Sequence, residues 1–380
     1  MRRQSAQFLP LVIIAAPILA ALTVAHAEDV RTSAQSVYIV DYQTGSVMLD
    51  RDSTARGEPA SLTKMMTAYL AFEALKMGKI KLTDTLPVSE EARRMQGSRM
   101  FVERGSNVGF EDLLRGIIIQ SGNDACVVVA EGLAGSEEAF VERMNATARQ
   151  FGMAGTHFAN SSGWPDPDHY TTARDLAILA HHLVADFPEY YHYFSEVTFT
   201  YHGIKQGNRN PLLYKPVGAD GIKTGYADGP GYSLVASGTQ DGRRSIMVIQ
   251  GLDSKRSRSD EAERLWQWAF HNFDDYRIAK GGTALANAPV WLGRQDTVPV
   301  GPKNDVVLTM PRSARRHLKA TAIFDGPLAA PISAGQVVGK LRLEAPGVTP
   351  TEVPLIATSS VEHLGAFDSM IAAAEHLIWG

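Results

Sequence analysis

The sequence predicts an α+β fold: an antiparallel sheet with helices on both sides, followed by a small all-β sandwich. Three observations support this prediction. Strand patterns occur at residues 36–50, helical patterns dominate from Pro59 to about Asp186, and strand patterns return from Val197. Strands, then many helices, then strands joined by short turns are typical of an α+β domain with an antiparallel sheet. The 380 residues are too many for one ordinary compact domain and suit two.

The first domain, predicted over residues 28–275, begins with a β-hairpin. Strand-like runs at 36–41 and 46–50 flank Tyr42-Gln43-Thr44-Gly45, which has the composition of a turn. Apolar spacing and capping residues then predict helices, and alternating runs predict strands. The helices are expected from Pro59, at 113–119, at 125–130, at 136–151 behind a Ser136 cap, from Thr171, and at 260–273; the strands are expected at 197–201, 221–225, 233–237 and 245–251.

The second domain is predicted over residues 276–358, where short alternating runs are separated by Gly and Pro. This pattern is typical of a small β-sandwich. We expect the domain to be non-catalytic, because it contains no pairing of catalytic residue types. The runs lie at 290–292, 306–310, 320–324, 336–343 and 352–356.

Both ends of the chain carry segments that we expect to lie outside these domains. Residues 1–27 combine Arg2 and Arg3, an apolar run at 8–24, and the small-residue cleavage site Ala25-His26-Ala27. This combination predicts a secretory signal peptide, so the mature protein is expected to be exported. Residues 359–380 are predicted to form a C-terminal amphipathic helix. Its apolar positions at helical spacing are Leu364, Phe367, Ile371, Ala374 and Ile378.

Composition excludes several classes of function. The formal net charge of −4 provides no basic footprint, so we expect no nucleic-acid partner. A chain with one cysteine, Cys126, forms no intramolecular disulfide, and its apolar neighbours indicate a buried structural thiol. No His-Glu-x-x-His or Cys-x-x-Cys pattern occurs, so neither a metal site nor a cofactor is predicted.

The most informative chemical pattern is Ser61-Leu62-Thr63-Lys64, at the start of the helix that follows Pro59. Residues three apart lie on one face of a helix, so the Ser61 hydroxyl and the Lys64 amine are expected to meet. A desolvated lysine near other cations can lose its proton and serve as the base that activates a serine. A four-residue pattern occurs easily by chance, and a serine near a helix start with a solvated lysine is the alternative.

Two further motifs favour the catalytic interpretation. Ser121-Gly122-Asn123 lies between two apolar helical stretches, and Lys223-Thr224-Gly225 precedes a strand-like run. The order Ser-x-x-Lys, Ser-x-Asn, Lys-Thr-Gly resembles that of the penicillin-binding proteins and class A β-lactamases. The segments 155–163 and 169–177 narrow the resemblance to the low-molecular-mass D-alanyl-D-alanine carboxypeptidases. The segments 203–210, 220–226 and 231–237 agree, so the similarity extends over about residues 35–275.

This resemblance implies roles for the motif residues in a two-step acyl transfer on stem peptides of peptidoglycan. Ser61 would attack the carbonyl of the penultimate D-alanine, and Lys64 would be the base. Ser121 would relay a proton to the leaving amine, and Asn123 would hold Lys64 and the substrate amide. Water would then hydrolyse the acyl-enzyme.

Recognition of the substrate is assigned to a second group of residues. Lys223, Thr224 and Gly225 would bind the terminal carboxylate, and Arg258 matches an arginine that the family uses near that carboxylate. Arg209 is a weaker candidate. The backbone N–H groups of Ser61 and Tyr226 would form the oxyanion hole. Many relatives have His where this chain has Tyr226, which leaves only the backbone role there.

Departures from the β-lactamase pattern favour a peptidase. The second motif is Ser-Gly-Asn instead of Ser-Asp-Asn, and no Glu-x-x-Leu-Asn loop supplies a deacylating glutamate. We therefore expect β-lactams to acylate Ser61 and the resulting acyl-enzyme to be hydrolysed slowly. The alternatives are a D,D-endopeptidase, a weak β-lactamase or, more remotely, a non-catalytic cell-wall binding protein. The motifs do not distinguish carboxypeptidase from endopeptidase activity, and they do not identify the third residue of the stem peptide. They also leave the oligomeric state open.

The resemblance also implies a location. Family members act in the periplasm, and many end in a helix that lies on the outer face of the inner membrane. In this chain Glu362, Asp368 and Glu375 are acidic, and no Lys or Arg follows Arg342. Interfacial helices usually carry basic residues on the polar face, so a peripheral membrane contact here would depend on apolar burial. A helix packed on the β domain is the alternative.

Overall fold

A computed structural model describes residues 30–365 and Met370. The described helices are α1 Lys64–Lys76, α2 Glu90–Arg94, α3 Phe110–Ile118, α4 Asn123–Ala134, α5 Glu137–Gln150, α6 Ala173–Asp186 and α7 Lys255–Asn272. The described strands are β1 Ser36–Asp41, β2 Val47–Arg51, β3 Thr85–Pro87, β4 Asn107–Gly109, β5 Thr198–Tyr201, β6 Ile204–Gly207, β7 Ala219–Ala227, β8 Gly231–Gln240, β9 Arg243–Leu252, β10 Phe273–Ala279, β11 Ala286–Trp291, β12 Thr297–Pro302, β13 Val306–Pro311, β14 Lys319–Ile323, β15 Leu328–Ala329, β16 Val337–Glu344 and β17 Thr351–Ala357.

The first domain is built on a five-stranded antiparallel sheet with the order β2-β1-β9-β8-β7. Alternate residues of a strand point to opposite faces, and here both faces are buried. Val248 and Val235 pack into a core shared with helices α1 and α3 to α6. Met247 and Leu234 pack on the other face against α7, whose Trp266 is fully buried. The predicted antiparallel sheet with helices on both sides is therefore confirmed.

The strand predicted at 197–201 forms, but it does not join the main sheet. It is β5, and it pairs only with β6 in a two-stranded ribbon. The turn between them contains His202 and Gly203, both with positive φ, so the chain reverses on itself at once. Alternation of residue types predicts a strand but does not say which strand is its partner.

The last helix of the first domain begins earlier than predicted. The apolar spacing indicated a start near residue 260, whereas α7 begins at Lys255. Ser254 caps it by accepting a hydrogen bond from the backbone N–H of Ser257. The first turn is mostly polar, so it carries no apolar periodicity. This shift places Arg258 in the first helical turn instead of in a preceding segment.

The C-terminal part of the described chain is all-β. Strands β10 and β13 form one sheet, and β14-β16-β17-β12-β11-β15 form a second. Residues of both sheets, among them Met310 and Leu355, share one apolar core, which is the arrangement of a sandwich. The sequence did not predict β10, β12 or β15. Strand β10 also crosses the boundary predicted between residues 275 and 276, and β12 contains Pro299, a residue that argues against a strand.

The start of the predicted C-terminal helix lies instead within the β unit. Val361 is 2% exposed and forms a β-bridge with Ile332, and His363 forms one with Gly293. The predicted signal peptide at 1–27 and the tail beyond residue 365, except Met370, lie outside the described residues. Of the helices that the structure describes, none has the length and apolar character needed to span a membrane.

Candidate active site

Ser61 lies in a 3-10 helix, Ala60–Thr63, that leads directly into α1. The backbone here is unusual, because Ala60 has a φ of +47°. Gly163 lies against this turn with a φ of +81°, and a Cβ atom at Gly163 would come within 1.8 Å of the Ala60 carbonyl oxygen. Only glycine permits this approach, so the 160–163 loop and the Ser61 turn are packed backbone to backbone.

Lys64 is the first residue of α1, and its side chain is 1% exposed. Its Nζ donates to Ser61 Oγ at 3.1 Å and to Asn123 Oδ1 at 2.7 Å. A third, short hydrogen bond goes to the carbonyl oxygen of Ser162. Three acceptors from three separate parts of the chain therefore satisfy all three ammonium donors.

The Ser121–Asn123 motif forms the turn between α3 and α4. Ser121 has a φ of +60°, a conformation uncommon for a residue with a side chain, and is buried. Both ends of the Asn123 amide form hydrogen bonds, since its Nδ2 donates to the Gln96 carbonyl at 2.7 Å while its Oδ1 accepts from Lys64. The amide orientation follows from these two partners.

Asp124, the next residue, is a supporting group that the sequence reasoning missed. Its carboxylate accepts hydrogen bonds from the backbone N–H groups of Met100, Phe101 and Val102 at 3.0, 2.8 and 3.2 Å. These bonds attach the 97–102 loop, which forms one wall of the site, to the start of α4. An acidic residue directly after Ser-x-Asn, at a helix start, was the available signal.

Lys223 and Thr224 lie on β7, the edge strand of the sheet nearest Ser61. Lys223 is buried, and its Nζ donates to Ser121 Oγ at 3.0 Å. Gly225 brings the strand close to the nucleophile turn, because a Cβ there would lie 3.2 Å from the Pro59 carbonyl oxygen. The third motif is therefore connected to the second by a hydrogen bond and to the first by close packing.

Two arginines complete the basic side of the site. Arg258 is 7% exposed, donates to the Arg209 carbonyl oxygen at 3.2 Å and lies over the Tyr232 ring. Its Nε has no hydrogen-bond partner among the described residues. Arg209 donates to Ser98 Oγ at 2.8 Å and to the Gln120 carbonyl at 3.2 Å. Arg209, only a weaker candidate from the sequence, therefore holds the walls together and also lines the cleft.

These groups surround one cleft of about 890 Å³. The predicted residues that line it are Ser61, Asn123, Thr224, Gly225, Tyr226 and Arg258. Lys64, Ser121 and Lys223 are buried next to it, and each hydrogen-bonds to another predicted residue. The structure therefore brings together all nine predicted site residues. Tyr226 projects its side chain outward, at 52% exposure, and its hydroxyl donates to Asp228.

Burial changes the protonation of the two lysines. Burial, with a smaller contribution from the charge of Arg209, lowers the pKa of Lys64 to about 8. Burial, then the charges of Lys64 and Arg209, lower the pKa of Lys223 well below its ordinary value. Burial likewise lowers the pKa of Arg258 to about 10. The site is therefore a desolvated cationic pocket in which Lys64 can be neutral close to physiological pH.

Nearby titratable groups contribute differently. Burial raises the pKa of Cys126 to about 12, so the thiol stays protonated and the predicted structural role agrees with its buried position. His169 donates or accepts at Thr63 Oγ1, 2.9 Å away, and burial lowers its pKa to about 4. In the part of the chain that the structure describes, no cluster of three or more His, Cys, Asp or Glu side chains could hold a metal ion.

The arrangement is that of a nucleophilic serine with a lysine base and a basic pocket for an anion. A family model described as D-alanyl-D-alanine carboxypeptidase matches residues 22–254, more than half of the chain. The chain belongs to the D-alanyl-D-alanine carboxypeptidase family. A second model, described as the C-terminal domain of penicillin-binding protein 5, matches residues 273–363.

Individual D-alanyl-D-alanine carboxypeptidases and penicillin-binding proteins agree over most of the chain. D-alanyl-D-alanine carboxypeptidase DacA of Escherichia coli (strain K12) is 37% identical over 368 residues, which cover 92% of this chain and 91% of DacA. Penicillin-binding protein 5 from Haemophilus influenzae has a similar structure, with a TM-score of 0.79 and 37% identity, over 88% of this chain and 98% of that one. The resemblance drawn from the motifs is thereby confirmed.

The structure of a more distant penicillin-binding protein contains an antibiotic. Penicillin-binding protein D2 from Listeria monocytogenes, solved in an ampicillin-bound form, is 26% identical with a TM-score of 0.59. It covers 64% of this chain and all of that one.

The pKa of Lys64 generates a prediction for this D-alanyl-D-alanine carboxypeptidase. A base must be unprotonated, and the pKa of about 8 means that the neutral fraction grows as the pH rises through that value. The rate of acylation by a β-lactam should therefore rise between about pH 6 and pH 9 and then level off. Stopped-flow measurement of the acylation rate across this range checks the prediction.

Lys64→Arg is the matched control, because it keeps a charge that does not titrate in this range. It should remove the rising limb together with nearly all of the acylation. A wild-type rate that stays constant or falls over the same range would show that Lys64 is not the base.

Proposed function

We propose that this protein removes the terminal D-alanine from peptidoglycan stem peptides through an acyl-enzyme on Ser61. The observation that carries the proposal is the position of Lys64 Nζ, which donates to both Ser61 Oγ and Asn123 Oδ1 while almost fully buried. A base of lowered pKa in contact with a serine hydroxyl is the arrangement that nucleophilic acyl transfer requires. Every residue of the three motifs is present, which disfavours a non-catalytic binding protein.

Acylation begins when neutral Lys64 takes the proton of the Ser61 hydroxyl. Ser61 Oγ bonds to the carbonyl carbon of the penultimate D-alanine, and the carbonyl oxygen becomes an oxyanion. The backbone N–H groups of Ser61 and Tyr226 would stabilise that charge, since Gly225 brings β7 against the turn before Ser61. The C–N bond then breaks, and the leaving amine takes a proton through Ser121, which is hydrogen-bonded to Lys223. That proton is the one Lys64 took from Ser61, so Lys64 is neutral again for the second step.

The leaving D-alanine carries a free carboxylate, and the basic side of the cleft suits it. Thr224 and Arg258 line the cleft, and Lys223 lies directly beneath. An anion beside Lys223 would raise its pKa again and keep it charged, which strengthens the interaction. The Arg258 Nε, which is buried and has no hydrogen-bond partner in the described part of the chain, is a donor that such a carboxylate could use.

Deacylation requires a water molecule in place of the departed D-alanine. Lys64 would be the base again, because it contacts Ser61 Oγ directly. β-Lactams acylate by the same attack on a strained amide, but their leaving group stays attached and blocks water. The Listeria relative solved with ampicillin and the same protein solved with cefotaxime support this part of the proposal.

We also propose that the mature protein is exported and lies on the outer face of the inner membrane. Arg2 and Arg3, the apolar run at 8–24 and Ala25-His26-Ala27 support export. The apolar stripe of the C-terminal segment supports a peripheral contact with lipid.

Replacement of the nucleophile tests the proposed chemistry directly. Ser61→Ala should abolish both the release of D-alanine from a pentapeptide and covalent labelling by a fluorescent penicillin, since among the described residues the Ser61 hydroxyl is the only one to which Lys64 Nζ donates. Mass spectrometry of the peptide and gel fluorescence of the protein measure the two losses. Ser195→Ala, an exposed serine away from the cleft, should retain both. Persistent labelling of a folded Ser61→Ala protein would remove Ser61 as the nucleophile.

Arg258 should act through the substrate carboxylate. Arg258→Ala should lower kcat/KM for peptides with a free terminal carboxylate roughly 10- to 150-fold, because a charge-assisted hydrogen bond contributes about 1.5 to 3 kcal/mol. A thioester substrate without that carboxylate should lose far less. Arg256→Ala is the matched control, since its side chain lies on the same helix and is 92% exposed. Equal losses on both substrates would show that Arg258 acts elsewhere.

The membrane contact can be tested by truncation after Gly365, which retains the buried Val361. Mature full-length protein should float with liposomes, and the truncated protein should not. Binding should be weak and little affected by salt, because the tail has no basic patch to screen. D-alanine release should be the same for both proteins. If both stay in solution, and truncation instead lowers the melting temperature, the tail is a packing element of the β domain.

A further inference from the structure

The β domain is positively charged, although the chain as a whole is acidic. Residues 276–365 contain ten Lys or Arg and six Asp or Glu, a net charge of +4, whereas the whole chain has a net charge of −4. Four of these ten cations lie close together in the sequence, and we call them the basic turn: Arg312, Arg315, Arg316 and Lys319. A domain whose charge is opposite in sign to that of the whole chain indicates an anionic partner.

The β domain holds the basic turn on an anchored backbone. Its three arginines belong to the 3-10 helix Arg312–His317, which follows β13 directly. Residues three apart in a 3-10 helix lie one above the other, so Arg312 and Arg315 project from the same side. Ala314 in the middle of the helix is 3% exposed, and Leu318 after it packs against the apolar core of the domain. The arginines are therefore displayed outward on a helix whose other side is buried.

Neighbouring acids neutralise little of this charge. Arg312 reaches Asp274 at 3.9 Å, and both side chains are about half exposed, so the pair contributes little. The other three members of the basic turn form no ion pair with any described residue. The guanidinium carbon of Arg315 lies 4.7 Å from the centre of the Tyr276 ring, and such stacking leaves the N–H groups at its edge available. The basic turn therefore presents donors that an anion outside the chain can use.

The shape of this surface suits carboxylates. An open groove of about 610 Å³ is lined by Arg312, Ser313, Arg315 and Arg316, so its walls carry guanidinium groups and one hydroxyl. No Asp or Glu among the described residues lines the groove. A guanidinium offers two parallel N–H donors, which match the two oxygens of a carboxylate or of a phosphate. The ligand is therefore a molecule with exposed carboxylate or phosphate groups.

The basic turn lies beside the catalytic domain. Pro311, the residue before the turn, pairs with Phe273, the first residue of β10. Phe273 directly follows α7 and packs in the same core as that helix. An anionic polymer held at the basic turn therefore lies next to the domain that carries the nucleophile.

The predicted membrane contact lies at the opposite end of the β domain. Lys319 pairs with Glu344, the last residue of β16. The chain leaves the sheet at the other end of β16, where Ile356 of β17 pairs with Val337. The two ends of this eight-residue strand are roughly 23 Å apart, at about 3.3 Å per residue, which exceeds two Debye lengths at physiological salt. Lipid held by the tail is therefore too far away to neutralise the basic turn, and an anionic polymer is favoured.

We propose that the basic turn is a second binding surface for peptidoglycan, separate from the catalytic cleft, which takes carboxylates of the stem peptides. The inference depends on the proposed function, because that function makes the polymer the substrate. A stem peptide with a free end carries a carboxylate before and after removal of D-alanine, so the surface binds substrate and product alike. Binding there raises the effective concentration of stem peptides at the cleft. A short soluble peptide occupies the cleft alone and gains nothing from the second surface.

Sedimentation with purified sacculi, which contain no lipid, tests this surface. The mature Ser61→Ala protein is used so that the polymer is not altered during the measurement. Binding should weaken when the salt concentration rises from about 0.05 to 0.5 M, because exposed charges are screened. Adding Arg315→Gln and Arg316→Gln should weaken binding at low salt roughly three- to tenfold, since exposed ion pairs contribute modestly. Sacculi whose carboxylates have been amidated should show a similar loss with the parent protein.

The matched control adds Lys280→Gln and Lys303→Gln instead, which removes the same charge from the same domain. Both lysines are exposed, and they lie beyond the pair Ala279 and Val306, at the opposite end of β10 and β13 from the basic turn. This control should bind sacculi like the parent protein. With Ser61 restored, the arginine variant should release D-alanine from a soluble pentapeptide at the wild-type rate and from sacculi more slowly.

Equal binding by the arginine and lysine variants would overturn the surface, as would full binding to amidated sacculi. Vesicles that contain phosphatidylglycerol decide between polymer and lipid. A loss of vesicle binding in the arginine variant, without a loss on sacculi, would assign the basic turn to lipid and overturn the proposal. If the wild-type protein releases no D-alanine from the pentapeptide, the proposed function is contradicted, while the sedimentation results still decide the surface.

Discussion

The buried ammonium group of Lys64 is the constraint on which the site depends. An ion taken out of water is tolerated only when its donors are satisfied, and each of the three acceptors comes from a different part of the chain. Ser61 belongs to the turn before α1, Asn123 to the start of α4, and Ser162 to the loop before α6. One side chain therefore fixes the mutual position of three segments, and the same burial lowers its pKa so that it can act as a base.

The surrounding protein stabilises an arrangement that is unfavourable in isolation. Ser121 and Ala60 both have positive φ, and Lys64 lies close enough to Lys223 for its charge to lower the pKa of Lys223. Backbone strain and like charges persist only where packing over-determines the position. The two cores on the faces of the sheet, the backbone contact at Gly163 and the carboxylate of Asp124 provide that support.

The sequence predicted the fold class, the order of the main elements and the nine site residues, because these depend on local patterns or on short motifs. It failed where the information is not local. The partner of β5 and the proline-containing strand β12 depend on contacts between elements. The first turn of α7 was missed because it is polar and carries no apolar periodicity. The sequence could not indicate Ser162 for another reason. Its backbone carbonyl accepts the hydrogen bond from Lys64, and any residue type could supply that group. Arg209 was only a weaker candidate because the residues around it form no recognisable catalytic pattern, and its contact with Ser98 exists only in the folded chain.

The basic side of the cleft links substrate recognition to activation of the base. Arg209 lowers the pKa of Lys64, and Lys64 lowers that of Lys223, so the cations that attract a carboxylate also prepare the lysine that removes the serine proton. A bound carboxylate must partly reverse this effect, because its negative charge favours protonated lysines. The arrangement works if the anion lies nearer to Lys223 than to Lys64. The hydrogen bonds support that order, since Lys223 reaches the serine of the second motif while Lys64 reaches the nucleophile itself. The bound carboxylate then neutralises mainly the charge of Lys223, and Lys64 keeps most of its lowered pKa.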